Sequence, residues 1–335
     1  MIRTWNISLK KWANRMVILL LLGAAVATNG CSNQPVVSTP AKNDAPALKE
    51  IRVGIVPLPH YSHMWVAQKK GFIDEELKKV GFKLKWQPFG LGPMVSEAFA
   101  AEYLDMGVMG DFPAFVGRSA GIDYRIVSVA SAAPKALALV VKKDSKFSVV
   151  KDLKGKKVAT TKGAYGQKLL TLLLEKNNMS MSDIQFVHMT MDDLSTALLR
   201  GDVDAGVMWD PLSTRLEDAG EIRVIADGTG VYEAYAVLMA SGKMLEKNPE
   251  AVDAVLKAYQ RGREYLAKNP GECIPWLMED IKISQPQLIK IIGKFNYDGK
   301  ITDQFVADMK NTEEFMRKNG LLKTPVDVQA FIRRK

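Results

Sequence analysis

The chain has 335 residues, of which 47% are hydrophobic and 25% are charged, and its formal net charge is +9. This length is sufficient for two lobes with separate cores, and the composition is typical of a soluble globular protein. The lysines are scattered and form no stripe with arginine and aromatic residues, which argues against nucleic-acid binding. The excess of positive charge leaves a mild preference for anionic ligands.

The first thirty residues have the pattern of an export signal. A basic region is formed by Arg3, Lys10, Lys11 and Arg15, and these four charges leave +5 for the rest of the chain. The uncharged run 16–27 is shorter than the roughly 20 residues that span a bilayer. A signal-peptide core is therefore favoured over the alternative, a single membrane anchor helix.

Cys31 follows a small residue at the end of this leader, a pattern that resembles the bacterial lipoprotein signal. We expect a signal peptide over residues 1–30, cleavage before Cys31 and a lipid on that cysteine. The other cysteine, Cys273, is then a buried thiol without a partner. A disulfide between the two is the alternative for an exported chain. Residues 31–49, rich in Pro, Ser, Thr and Ala, are predicted to be a flexible tether.

From residue 50 onward, strand patterns alternate with helix patterns. Strands are predicted over residues 51–56, 83–87, 105–109, 125–130, 136–142, 157–160, 184–188 and 205–209, and helices over 64–80, 94–101, 165–176 and 194–200. This alternation predicts parallel sheets flanked by helices. The last third is mostly helical, with Asn248 as the cap of one helix, ahead of Pro249, and Thr302 as the cap of another.

Residues 95–111 repeat, without a gap, at residues 194–210. Seven of the seventeen positions are identical: Ser96/Ser195, Ala98/Ala197, Asp105/Asp204, Gly107/Gly206, Val108/Val207, Met109/Met208 and Asp111/Asp210. Any two strand–helix units look somewhat alike, but this density of identities favours two similar lobes. Matching strand ends in two α/β lobes are typical of a hinged binding cleft.

Several short motifs follow the leader in a characteristic order. They are Gly54-Ile-Val-Pro, Gly90-Leu-Gly-Pro93, Asp105-Met-Gly-Val-Met-Gly-Asp111, Asp152-Leu-Lys-Gly-Lys-Lys-Val-Ala159, Lys162-Gly163 and Gly201-Asp-Val-Asp-Ala-Gly-Val-Met-Trp-Asp-Pro211. This series resembles the sulfonate/nitrate/taurine class of ABC importer substrate-binding proteins. The similarity runs from about residue 51 to 248 and continues more loosely through the helical tail.

The resemblance implies an α/β fold of the two-lobed periplasmic-binding-protein type II. Each lobe is expected to be a mostly parallel sheet flanked by helices, with two crossover segments as the hinge. Residues 50–137 and 235–335 would form lobe one and residues 138–234 lobe two.

The implied function is capture of a small anionic solute, sulfonate-, nitrate- or taurine-like, in the interlobe cleft. The solute would pass to a membrane permease and its ATPase. We expect an exported monomer, tethered by lipid on Cys31 at the periplasmic or extracytoplasmic face, with no cofactor.

Enzymes on the same fold are the competing function. One forms the pyrimidine of thiamine and another is a dehydratase of menaquinone biosynthesis; a binder of a pyrimidine or an aromatic acid is a further alternative. The sequence contains no cysteine cluster, Walker loop, Gly-x-Ser-x-Gly turn or His-Glu-x-x-His helix. We therefore predict no catalytic residue.

Ligands of open α/β sheets bind beyond the C-terminal ends of the strands. The predicted ligand-binding residues at such ends are His60, Tyr61, Gly92, Asp111, Phe112, Gly163, Ala164, Tyr165, Trp209 and Asp210. Residues 161–166 precede a helix without an early acidic side chain, so its free N–H groups favour an anion.

Each of these predictions has a structural alternative. The glycines of residues 161–166 could serve a turn alone, Asp111 and Asp210 could be helix caps, and Trp209 could belong to the core. His60 and His63 lie three residues apart, but two histidines without a further ligand nearby give little support to a metal site.

Overall fold

The computed structural model describes residues 48–334, which contain two five-stranded sheets and thirteen α-helices. The predicted signal peptide, Cys31 and nearly all of the predicted tether lie outside the described residues. The strands are β1 (Lys49–Ile55), β2 (Phe82–Pro88), β3 (Met106–Gly110), β4 (Tyr124–Ala132), β5 (Leu137–Lys142), β6 (Lys157–Thr160), β7 (Gln185–His188), β8 (Ala205–Trp209), β9 (Ile222–Asp227) and β10 (Tyr235–Ser241).

The two sheets have the same topology. Their strand orders are β2-β1-β3-β10-β4 and β7-β6-β8-β5-β9. In each sheet one strand, β10 or β5, pairs antiparallel with both of its neighbours, and the other pairings are parallel. Four strands of each sheet therefore run in one direction, and the chain crosses between the sheets twice, after β4 and after β9. We call the two parts lobe one (β1–β4 and β10) and lobe two (β5–β9).

The helices are α1 (Ser62–Lys69), α2 (Phe72–Lys79), α3 (Gly92–Ala100), α4 (Asp111–Ser119), α5 (Tyr165–Lys176), α6 (Met191–Arg200), α7 (Leu212–Asp218), α8 (Gly242–Lys247), α9 (Pro249–Lys268), α10 (Pro270–Ile281), α11 (Gln285–Ile292), α12 (Asp303–Lys318) and α13 (Val328–Phe331). Among the helices of residues 48–334, none combines the length and the apolar character that a membrane crossing takes.

Three helix boundaries test the sequence analysis. The single helix predicted over residues 64–80 is wrong, because Gly71 adopts a φ of 71° and separates α1 from α2. Thr302 caps α12 as predicted, since its Oγ1 accepts a hydrogen bond from the Phe305 amide at 3.1 Å. Asn248 stands at the N-cap position of α9, but its side chain makes no capping hydrogen bond.

The sequence repeat is a structural repeat. The carboxylate of Asp105 accepts a hydrogen bond from the Arg52 amide at 2.8 Å, and that of Asp204 accepts one from the Lys157 amide at 2.9 Å. Each aspartate thus ties the start of a central strand to the parallel strand beside it, β1 in lobe one and β6 in lobe two. The two copies hold their central strands, β3 and β8, in the same way.

The repeated glycines allow close helix packing on these central strands. A Cβ at Gly107 would lie 2.8 Å from Val95 Cγ1 of α3, and a Cβ at Gly206 would lie 2.5 Å from Leu194 Cδ1 of α6. Val95 and Leu194 are themselves equivalent positions of the repeat. The packing explains why both copies place glycine in the middle of a buried strand.

Cys273 lies fully buried in α10 with a free thiol. Burial raises the pKa of this thiol to about 11, so it is protonated at neutral pH. The side chain therefore behaves as a small hydrophobic residue of the lobe-one core. The alternative partner, Cys31, lies outside the described residues.

Candidate ligand-binding site between the lobes

The C-terminal end of β3 in lobe one meets the start of α5 in lobe two. A Cβ at Gly110 would lie 1.7 Å from the Tyr165 hydroxyl, so the tyrosine occupies the space that a side chain at position 110 would fill. The rings of Phe112 and Tyr165 are 4.8 Å apart. Two of the segments that the sequence predicted at a shared ligand site are thus in direct contact.

A buried lysine of lobe two forms the polar centre of this contact. Lys168, one turn into α5, is 3% exposed, and its Nζ donates a hydrogen bond to Thr312 Oγ1 of α12 at 2.5 Å. The same hydroxyl lies 3.5 Å from Asp111 Oδ2. The Nζ also lies 4.3 Å from the centre of the Tyr232 ring, a cation–π distance.

Burial shifts the pKa values of both charged groups toward neutrality. It raises the pKa of Asp111 to about 6, although Lys168 opposes the shift, and it lowers the pKa of Lys168 to about 8. Desolvation is the largest cause in each case, because both charges are removed from water. At pH 7 a charged pair still faces the interlobe surface.

The turn before α5 is only partly available to a ligand. The Lys162 amide donates to His188 Nδ1 at 3.0 Å, and the Gly163 amide donates to Gln167 Oε1 at 2.6 Å. The amides of Ala164, Tyr165 and Gly166 have no hydrogen-bond acceptor among residues 48–334. The amides that are free to accept an anionic ligand are therefore at the first turn of the helix rather than in the preceding loop.

The presence of glycine at position 163 is also explained by backbone conformation and packing alone. Its φ is 72°, a region that favours glycine, and a Cβ there would lie 2.8 Å from Leu321 Cδ2 of lobe one. The turn interpretation and the ligand interpretation are therefore both compatible with this residue, and it lies on the interlobe surface.

The two repeated aspartates have different local roles. Asp210 accepts hydrogen bonds from Ser213 Oγ at 2.8 Å and the Thr214 amide at 3.0 Å, which is a cap on α7. Asp111 is the first residue of α4 and accepts one from the Phe112 amide at 2.8 Å. The alternative of a cap therefore describes Asp210 well, whereas Asp111 keeps one oxygen directed at the interlobe network.

Asp210 also pairs with the other lobe. Lys294, which follows α11, places its Nζ 2.8 Å from Asp210 Oδ2 and 2.7 Å from Thr214 Oγ1. His60 lies near this pair, with its ring 4.5 Å from that of Phe295. Burial lowers the pKa of His60 to about 4, against the opposing effect of Asp210, so the imidazole is neutral at pH 7.

The other predicted residues lie around these two contacts. Tyr61 is buried. Burial raises the pKa of Tyr165, and the nearby Asp111, Tyr232 and Tyr61 raise it further. Gly92 begins α3, where a Cβ would lie 3.3 Å from Pro113 Cγ, so it supports the start of α4. Trp209 is partly buried against the hydrophobic core, which favours the core alternative for it.

Sequence reasoning missed Lys168, Thr312, Lys294 and Tyr232. Lys168 could have been found from the sequence. It lies on the helix that begins at the candidate anion site, and it is followed directly by the apolar residues Leu169 and Leu170. Thr312 and Lys294 carried no such signal, because their partners lie far away in the chain.

Two cavities lie outside the ten predicted residues. One, of about 550 Å³, lies between α5 and α12 and is lined by Lys168, Tyr232 and Asp308 among others. The other, of about 910 Å³, lies in lobe one beside α9. The first cavity borders the Lys168 contact and is therefore part of the interlobe region.

A family model described as "NMT1/THI5 like" matches residues 59–273, well over half of the chain. The chain belongs to this family. Two relatives bear the name "Putative aliphatic sulfonates-binding protein". That of Bacillus subtilis (strain 168) is 28% identical over 96% of this chain and 94% of its own length. That of Escherichia coli (strain K12) is 30% identical over 74% of this chain and 78% of its own length.

The fold is also that of a solved binding protein. The crystal structure of the periplasmic aliphatic sulphonate binding protein SsuA from Escherichia coli superposes with a TM-score of 0.79 at 26% identity, over 85% of this chain and 92% of the other. The predicted two-lobed fold and the predicted class of protein are confirmed.

Proposed function

We propose that this chain is the substrate-binding component of an ABC importer and that it holds a small organic sulfonate between its lobes. The relatives named as aliphatic sulfonate-binding proteins support this ligand class. The remaining support comes from the chemistry of the interlobe surface.

The observation that carries the proposal is the pairing of free amides with a buried cation on α5. The amides of Ala164, Tyr165 and Gly166 are donors without acceptors among residues 48–334, and Lys168 follows on the next turn. A sulfonate carries one negative charge over three acceptor oxygens. A helix N-terminus and a lysine are complementary to such a group.

Asp111 is the candidate for recognising the end of the ligand that is opposite its sulfonate group. Its carboxylate lies across the interlobe surface from α5 and is linked to Lys168 through Thr312. An amino group on the ligand would find a buried acceptor there, whereas an apolar ligand tail would find the rings of Phe112 and Tyr165. Asp111 therefore distinguishes aminoalkanesulfonates from plain alkanesulfonates in this proposal.

Delivery follows from closure of the lobes about the two crossovers. A closed, ligand-bound surface would be recognised by the permease and its ATPase. We propose that the chain acts as an exported monomer, released from its signal peptide and tethered through lipid on Cys31. Mass measurement of the membrane-derived protein would test the lipid, since an unmodified Cys31 or an uncleaved leader contradicts it.

A calorimetric and thermal-shift comparison tests the ligand class. The soluble form beginning after Cys31 is titrated with ethanesulfonate, taurine, nitrate, ethylamine and a pyrimidine. We expect the sulfonates to bind, with stabilisation of about 2.7 kcal/mol at 100 times the dissociation constant. Binding of the pyrimidine or nitrate with no response to either sulfonate would overturn the assignment.

Two variants locate the site. Lys168→Met should weaken both sulfonates by about tenfold or more, because a charge-assisted contact is removed. Asp111→Asn should weaken taurine more than ethanesulfonate. Lys176→Met, at the exposed far end of the same helix, is the matched control and should change neither affinity.

Binding and catalysis are separated by recovering the ligand. After days of incubation with stoichiometric protein, a binder releases the sulfonate unchanged, and mass spectrometry should show a single species. Release of sulfite or of an altered carbon skeleton would instead favour an enzyme on this fold.

A further inference from the structure

Lobe one contains a cavity that the proposed solute site does not use. Its volume is about 910 Å³, and it is bounded by α9, the start of α10, β4 and the loop of residues 296–300. Apolar side chains form much of the wall: Val127, Leu256, Leu266, Ile274 and Ile292. A cavity of this size accommodates a small organic molecule.

The loop that forms one wall is fixed by hydrogen bonds. Asn296 and Ala132 exchange two backbone hydrogen bonds of 2.9 Å. Ser128 Oγ donates to the Gly299 carbonyl at 2.9 Å, and the Tyr297 hydroxyl donates to the Pro59 carbonyl at 2.6 Å. The wall is therefore preorganised, which lowers the entropic cost of binding a ligand against it.

Arg263 of α9 presents its guanidinium to this cavity. The group lies directly against the loop: a Cβ on Gly299, whose φ is 78°, would be 2.5 Å from Arg263 Cζ. Burial lowers the pKa of Arg263, although Asp298 and Glu264 oppose the shift. The arginine remains charged, because its ordinary pKa is far above neutrality.

Arg263 differs from the other charged residues of the cavity wall in its lack of a hydrogen bond or close ion pair, although Asp298 and Glu264 are near enough to influence its pKa. Within residues 48–334 no hydrogen bond or ion pair is made by its guanidinium. The others are paired: Lys257 with Glu76 at 3.1 Å, Lys300 with Asp298 at 3.8 Å, Asp253 with Arg333 at 3.0 Å, and Glu264 with Gln260 at 3.1 Å.

We infer that this cavity is a second ligand site, for a small organic anion whose apolar body contacts the aliphatic wall and whose acidic group pairs with Arg263. A half-buried guanidinium without an acceptor favours a ligand that supplies one, and its planar fork matches a carboxylate, sulfonate or phosphate. The site lies within lobe one alone, so it does not depend on closure of the lobes.

The test measures the affinity of four probes by NMR titration of the soluble form that begins after Cys31. The probes are hexanoate, hexanesulfonate, hexylamine and hexanol. We expect both anions to bind, and hexylamine and hexanol to bind at least tenfold more weakly. Arg263→Gln should weaken the anions by about tenfold or more. Arg200→Gln, at an exposed arginine of lobe two, is the control and should leave the affinity unchanged.

Two further measurements distinguish binding in this cavity from binding at the proposed solute site, and loss of binding from loss of folding. Ala267→Trp keeps Arg263 and its charge but fills the cavity from the next turn of α9. It should also abolish hexanoate binding, whereas Lys168→Met should not affect it. In crystals grown with 6-bromohexanoate, the bromine should lie in the cavity. Equal binding of hexylamine, hexanoate binding that survives both cavity variants, or bromine found elsewhere would overturn the inference.

Discussion

Lys294 Nζ of lobe one lies 2.8 Å from Asp210 Oδ2 of lobe two. The opposite contact has the same construction, because Lys168 of lobe two reaches Asp111 of lobe one through Thr312. Asp111 and Asp210 are equivalent positions of the repeat. Each lobe therefore offers a lysine to the repeated aspartate of the other: Lys168 is buried, and the Lys294 side chain is 16% exposed. The two contacts together join the lobes.

Removing the Lys294 charge should destabilise the protein at neutral pH. In Lys294→Met the fully buried carboxylate of Asp210 loses its cation, which costs about 3 kcal/mol in the free energy of unfolding. Urea unfolding at pH 7 measures the change. Lys290→Met is the matched control, since Lys290 makes exposed pairs with Glu217 and Asp218 and its loss should cost less than about 1 kcal/mol. Equal losses in the two variants would contradict the prediction.

Asp111 should make stability fall as pH rises from about 4 to about 6. Its pKa in the folded protein is about 6, raised from 3.8, so over this range the folded state binds more protons than the unfolded state. Folding is then progressively disfavoured, by roughly 3 kcal/mol in all.

The comparison with Asp111→Asn isolates this effect from all other titrating groups. Urea unfolding of both proteins at pH 4, 5, 6 and 7 should show the native protein losing stability relative to the variant across the window, with a constant difference above it. A difference independent of pH would show that burial does not raise this pKa.

Gly110→Ala should hinder closure of the lobes. The new Cβ would lie 1.7 Å from the Tyr165 hydroxyl, so the tyrosine must move away from lobe one. Overpacking of this kind costs about 1–3 kcal/mol, so affinity for the proposed sulfonate ligand should fall by about tenfold. Small-angle scattering should show a smaller contraction on saturation than in the native protein.

A second substitution tests the cause of that effect. Gly110→Ala combined with Tyr165→Ala should contract on ligand addition again, because the clash is gone. Gly90→Ala, whose Cβ would find only Met94 Sδ at 3.6 Å, should behave as the native protein. Unchanged contraction in Gly110→Ala alone would contradict a role of the Gly110–Tyr165 contact in closure.

Gly107→Ala and Gly206→Ala should destabilise their lobes to a similar extent. Each added methyl group meets the helix that packs on the central strand, at Val95 or Leu194, and the expected cost is about 1–3 kcal/mol. Gly271→Ala, with no atom within 4 Å of the new Cβ, should be neutral or slightly stabilising. Denaturant unfolding compares the three, and a large effect in only one lobe would argue against the structural repeat.

Much of the architecture was predictable from local pattern. Every strand predicted from residue 51 to 209 is present, and α5 has the predicted bounds, because hydrophobic periodicity reflects which face of an element is buried. The break at Gly71 was missed because the apolar positions of α1 and α2 continue in phase across it. Strand β9 was missed as well, because its sequence Ile-Arg-Val-Ile-Ala-Asp does not alternate beyond its first three residues.

The sequence by itself determined the two-lobed organisation, the repeat and the segments that meet between the lobes, since these depend on motifs and periods within short stretches of chain. Only the tertiary structure decided which side chains complete those surfaces. Lys168 and Thr312 are 144 residues apart, and Lys294 and Thr214 are 80 apart. Arg263 is likewise distinguished only by the fold, in which its guanidinium has no acceptor among residues 48–334. Partners so distant in the chain leave no mark on local periodicity, because folding alone brings them together.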